Sequence, residues 1–126
     1  MTMHKTVITL PESSGNLLCL HFTGIVTLEN HAVLCDKPLR AIVSKYGNYR
    51  FLALYKDFAG WTTEAADNNF RLINDICHAA ERLAYVNPPE RKMLQLSLQR
   101  AALTPDMSFF DEGDLEEALA WIQQRP

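Results

Sequence analysis

Cysteine is scarce in this chain of 126 residues, and the three present, Cys19, Cys35 and Cys77, cannot all pair with one another. None stands in a Cys-x-x-Cys spacing, and all sit among apolar neighbours, which reads as reduced, buried thiols. Glycine is equally sparse. Gly15, Gly24, Gly47, Gly60 and Gly113 are too dispersed to cradle a dinucleotide or a nucleotide phosphate, and no serine occupies a Gly-x-Ser-x-Gly elbow. Long apolar runs are missing too. The longest, Phe51 to Tyr55 and Ala118 to Ile122, fall far short of the roughly 20 residues a membrane-spanning helix needs, so no integral membrane segment is expected. Met1 to Lys5 lacks the basic, apolar and small-residue regions of a secretory signal, giving the expectation of a cytoplasmic protein.

There is no excess of positive charge, with 12 Lys and Arg against 15 Asp and Glu for a net charge of -3. The basic side chains Lys37, Arg40, Lys45, Arg50 and Lys56 have no interleaved aromatics or nucleic-acid motif and read as a solvated face. His31 and Cys35 lie four apart on an expected helix, but two ligands do not make a structural zinc site, and no second pair stands at a recognised spacing. Neither a metal nor another cofactor is expected, and no enzyme signature emerges.

What is present is a globular composition. Hydrophobic residues make up 48% and charged residues 21%, enough for one domain spanning residues 1–126 with a core that needs no staples. Thr6 to Leu10 and Leu17 to Thr23, separated by turn formers from Pro11 to Asn16, predict an antiparallel hairpin. Thr27 can cap a helix with Leu28, Ala32, Cys35, Leu39, Ile42 and Tyr46 on its inner face; Pro38 predicts a kink or break near Lys37, and Gly47 a stop. Tyr49 to Tyr55 reads as a central strand covered on both faces. Asp57 to Trp61 reads as a tight loop, followed by a helix capped by Thr62 or Thr63 and buried through Ala66, Phe70, Ile73, Cys77 and Ala80. A strand from Leu83 to Val86, a helix from Pro89 through Leu94, Leu98 and Ala101, a strand from Met107 to Phe110 and a closing helix complete the order. Asp114 with Glu117 resembles a capping box for that last helix, which buries Leu115, Ala118, Leu119 and Ile122. The pattern is α/β: a mixed five-stranded sheet with four helices, the first strand antiparallel and the others parallel through right-handed crossovers.

Asp57-Phe58-Ala59-Gly60-Trp61-Thr62, directly after an apolar strand, resembles the acidic-Phe-x-Gly-Trp-Thr segment of the SpoIIAA-like proteins, which have the STAS fold of the anti-sigma-factor antagonists. Phe110-Asp111 and Glu116 to Ile122 resemble the closing strand and helix of that family. The resemblance implies a STAS-like sandwich, regulation or ligand carriage in place of an established reaction, and frequent self-association. Two departures stand out. Asn87 to Lys92 replaces a Gly-Asp-Lys type loop followed by a tryptophan-rich helix, so any role of Asn87 to Arg91 does not transfer. Gly60-Trp61-Thr62-Thr63 stands where the phosphorylated antagonists have Asp-Ser-Ser-Gly.

The candidate site is therefore the segment Asp57, Phe58, Gly60, Trp61, Thr62 and Thr63, where a helix start meets the carboxyl ends of parallel strands. Thr62 or Thr63 is a helix cap, or a phosphoacceptor whose charge the helix dipole would favour. Phe58, Trp61, Phe70 and Trp121 either pack as core or line an apolar pocket. The expected function is non-enzymatic: a regulatory domain that binds a protein partner, with phosphorylation as its switch. The alternative is a carrier or sensor of a nonpolar small molecule between helices and sheet. A homodimer is the expected assembly, through an edge strand or an apolar helix face.

Overall fold

The computed structural model describes residues 5–89 and 106–124. Strands β1 (Val7–Thr9), β2 (Leu17–Val26), β3 (Tyr49–Trp61), β4 (Ala80–Val86) and β5 (Asp106–Phe110) lie side by side in chain order. β1 runs antiparallel to β2, and every later pair is parallel. This is the mixed five-stranded sheet that the strand and helix order predicts. The β2–β3 and β3–β4 crossovers step in the same direction across the sheet, so right-handed connections place their helices on one face.

The first helical run comprises α1 (Leu28–His31), a π-turn (Ala32–Asp36) and α2 (Lys37–Tyr46). Thr27 caps its start by accepting from the Asn30 N–H. Pro38 does not break it. The π-turn widens the ladder just before the proline, the Lys37 N–H reaching back to the Ala32 carbonyl, and the backbone stays right-handed helical throughout. A widened turn relieves the clash that a proline ring makes with the carbonyl four residues earlier. Gly47 ends the run at φ 79°, a conformation that favours glycine.

β3 is central, and all of Tyr49 to Tyr55 is buried. Its period-two alternation divides two cores: Tyr49, Phe51, Ala53 and Tyr55 join Cys35, Leu39, Leu72 and Ile76 on the helix-covered face, while Leu52 and Leu54 join Leu17, Cys19, Ala84, Val86, Ala118 and Ile122 on the other. That second face is covered by α4 (Leu115–Gln123), which follows the last strand. Two arginines on adjacent strands hold its carboxyl end. Arg50 Nη1 donates to the Ile122 carbonyl at 2.8 Å, and Arg82 Nη1 to those of Trp121 and Gln124 at 2.9 and 3.2 Å. Arg82 also stacks on the Trp121 ring at 4.5 Å. Cationic donors at a helix carboxyl end satisfy orphan carbonyls and complement the dipole.

Several expectations change in detail. The Asp57 to Trp61 loop is instead the end of β3. Pairing with β2 resumes through Gly24–Phe58, Ile25–Gly60 and Val26–Trp61 after register shifts, with Asp57 at φ 56° and Gly60 at φ 137°. Extra residues in one strand bend it without ending it, which a search for turn residues reads as a loop. The buried side of α3 (Thr63–Ile76) consists of Ala65, Leu72 and Ile76; Ala66 and Phe70 face solvent and Ile73 is half-buried. In the first run His31 is buried while Leu28 and Tyr46 are exposed. Cys77 is only half-buried, in contrast to Cys19 and Cys35. No capping box starts α4: Asp114 makes no side-chain cap bond, and a 3-10 turn, Glu112–Asp114, leads in. The helix expected from Pro89 to Ala101 lies outside the described residues.

Candidate functional site

The β2 and β3 pairing continues beyond the last β3–β4 pair, Leu54–Val86, so a two-stranded ribbon of Gly24–Val26 and Phe58–Trp61 extends past β4. It delivers the chain directly into α3. The Thr62 N–H bonds to the Val26 carbonyl at 3.0 Å, which ties the start of α3 to the ribbon. Thr62 is extended at φ -66°, ψ 158°, and its Oγ1 accepts from the Ala65 N–H at 3.1 Å. Thr62 is therefore the N-cap; Thr63 is the first helical residue and exposed. A negative charge here would meet the unpaired N–H groups of a 14-residue helix.

Phe58 and Trp61 are half-buried on the helix-covered face. Trp61 packs against Phe22, Phe58 and His31 with ring centroids 5.3, 5.5 and 5.9 Å apart, and Phe58 meets Tyr55 edge-on at 5.1 Å. Phe70 is not part of this group, being 59% exposed on α3. Nor is Trp121, which packs with Phe110 on the opposite face of the sheet. The four aromatics thus do not converge on one pocket. Asp57 is exposed, and Ile25, paired with Gly60, is 56% exposed. A Cβ on Gly60 would meet nothing within 4 Å, so its positive φ, not crowding, calls for glycine.

Under this segment lies a polar seam that apolar periodicity did not reveal. His31, fully buried, pairs through Nε2 with Asn69 Oδ1 at 3.0 Å and through Nδ1 with Asn68 Nδ2 at 2.9 Å. Asn68 Nδ2 also donates to Asp36 Oδ2 at 2.9 Å. Arg40 joins Asp36 to Asp75 on α3, at 2.7 and 2.8 Å. Two consecutive asparagines within a helix were the available signal, since asparagine is a poor helix former kept where its amide has partners.

A cavity of about 20 Å³ sits deeper, lined by Phe22, Cys35, Asn69 and the buried Tyr49, Tyr55 and Tyr85 among others. That volume suits about one water molecule. Burial pushes the three phenols well above their ordinary range. Burial, and secondarily Glu12, pushes the Cys19 thiol up to about 12, so it is no thiolate nucleophile at neutral pH. Among the described residues no three His, Cys, Asp or Glu side chains gather as metal ligands.

Residues 17–123 match the family model described as SpoIIAA-like. A crystal structure from Shewanella loihica PV-4, described as an uncharacterized protein with a SpoIIAA-like fold, superimposes with a TM-score of 0.69 at 18% identity, covering 97% of this chain and 98% of that one. No curated protein matches.

Proposed function

The chain belongs to the SpoIIAA-like family, and from that premise we propose that it acts by binding a protein partner through the rim segment Asp57 to Thr63. At the family level the STAS-type fold supports a regulatory or binding role, and the chain is proposed to work without catalysis, as a single domain in the cytoplasm. The observation that carries this reading is the ribbon beyond β4, which presents Thr63, Asp57 and Ile25 to solvent beside the amino end of α3. Thr62 and Thr63 remain the proposed phosphoacceptors. Of the two, Thr63 has the exposed side chain, whereas the Thr62 hydroxyl already serves as a cap. A phosphate there would add nearly two negative charges to a surface against which a partner docks.

The nonpolar carrier is the lesser reading. The rings of Phe22, Tyr55, Phe58 and Trp61 pack against one another, and about 20 Å³ is far below the 300 Å³ or more of a ligand pocket. A photoreactive residue placed at 63, and separately at 48 at the other end of the sheet, tests the choice in cells of the native host. A discrete protein adduct from position 63 and none from 48 supports the binding role. Equal, diffuse labelling from both, with a nonpolar molecule extracted from the purified protein, supports the carrier.

A further inference from the structure

We propose that His31 is a protonation switch that couples acidity to the order of the rim segment. The described groups of the seam around it fit one protonation pattern. The Asp36 carboxylate can only accept hydrogen bonds, so the Asn68 amide must turn its NH2 toward it, and that same NH2 faces His31 Nδ1. Nδ1 is therefore an acceptor without a proton, and Nε2 carries the hydrogen that Asn69 Oδ1 receives. The described titratable and charged groups around the ring are Cys35 and Asp36 on its own helical run, with Arg40 and Asp75 one link further out. α3 presents the neutral amides of Asn68 and Asn69, β3 the indole of Trp61, and beyond it lies the phenol of Tyr55.

A second proton from solvent adds at Nδ1, which then points a hydrogen at the hydrogens of Asn68. Relief requires Asn68 to turn its oxygen toward His31. That rotation sets an amide oxygen against Asp36 Oδ2 and removes the donor linking the π-turn to α3. Desolvation and the facing Asn68 NH2 both oppose a charge on this buried ring, so acidification to the lower end of the pH 5 to 8 range in which imidazole ordinarily titrates delivers this proton. The ring also touches Trp61, whose backbone leads into the Thr62 cap, so the loosening reaches the start of α3. As a device the coupling stands on the seam alone; its use in regulation rests on the proposed role of the rim.

Nuclear magnetic resonance of the intact wild-type protein tests it without any partner. At pH 7.5 the ring nitrogen shifts should show the Nε2–H tautomer. On stepping to pH 5, protonation of His31 should coincide with movement of the Asn68 side-chain amide and the Trp61 indole signals. The Ala65 and Ala66 amides, bonded to Thr62, should exchange about tenfold faster than pH alone dictates. His31→Gln, folded by the same spectra, should lose that coupled transition. An Nδ1–H tautomer at pH 7.5 would overturn the proposal, as would protonation that leaves the Asn68, Trp61 and Ala65 signals in place. If the partner-binding reading fails, this pH response still occurs as described, so the two outcomes are separable.

Discussion

At the scale of single residues, the threonine before α3 fixes where that helix starts. As an N-cap, Thr62 supplies an oxygen to the Ala65 N–H, and removing it leaves that donor without its partner. Thr62→Ala should cost about 1 kcal/mol, a fall of roughly 3–5 °C in melting temperature for a domain of this size. Thr62→Ser should keep nearly all of it. Calorimetry of the three proteins checks this, and equal melting temperatures would show that the cap contributes nothing. The sequence narrows the cap to Thr62 or Thr63 ahead of a periodic run, and the structure selects Thr62; Thr27 was legible outright. His31 was not, because a histidine four residues before Cys35 carries no mark that two asparagines 37 and 38 positions later will saturate both ring nitrogens.

At the scale of elements, what alternates apolar and polar residues can be read, and what depends on a distant backbone cannot. β3 announced itself by a nearly continuous apolar run, Tyr49 to Tyr55, and all seven residues are buried, including Arg50, which the sequence places on a solvated face and the structure turns inward to hold α4. Its extension to Trp61 hid behind Asp57 and Gly60, whose turn-forming character serves a bulged strand here. The buried side of α3 was displaced for a related reason: Asn68 and Asn69 occupy half-buried positions that an apolar count skips. The docking of α4 is likewise invisible in sequence, since Arg50 lies 72 residues from the Ile122 carbonyl it holds. Arg50→Met removes the Nε donor to Asn16 Oδ1 and the Nη1 donor to Ile122, both inside the protein. Loss of charge-assisted bonds of this kind should destabilise the fold by about 1.5–3 kcal/mol, read as a lower urea midpoint at unchanged slope. An unchanged midpoint would mean that apolar contacts alone hold the helix.

For the whole molecule, the packing of three tyrosines and a thiol inside the two cores fixes how stability responds to alkali. Tyr49, Tyr55, Tyr85 and Cys19 have their proton loss raised by burial in the folded state, so the native protein holds protons that the unfolded chain releases. Their contribution is intact below about pH 8, where the unfolded thiol and phenols are still protonated, and is lost as pH climbs through the range where only the unfolded chain ionises. Each buried tyrosine contributes a slope of about 1.4 kcal/mol per pH unit above pH 10. Urea midpoints taken from pH 8 to 11 should be level at first and then drop steeply, with the tyrosinate absorbance of the three buried tyrosines, Tyr49, Tyr55 and Tyr85, appearing only as the protein unfolds.

The rim, where β2 and β3 overhang the sheet, lies at the other end of the strands from the edge where Asn16 bonds to Asn48 and Arg50 anchors α4. A functional surface should occupy the first end and spare the second. The most direct measurement is the affinity of the crosslinked partner, once identified, for Thr63→Glu and for Asn48→Glu, each compared with wild type by calorimetry. The rim change should alter the dissociation constant by about tenfold or more, a difference near 1.4 kcal/mol, while the change at residue 48 leaves it as it was. Equal affinities for all three proteins, with each still folded, would contradict a partner surface at Asp57 to Thr63.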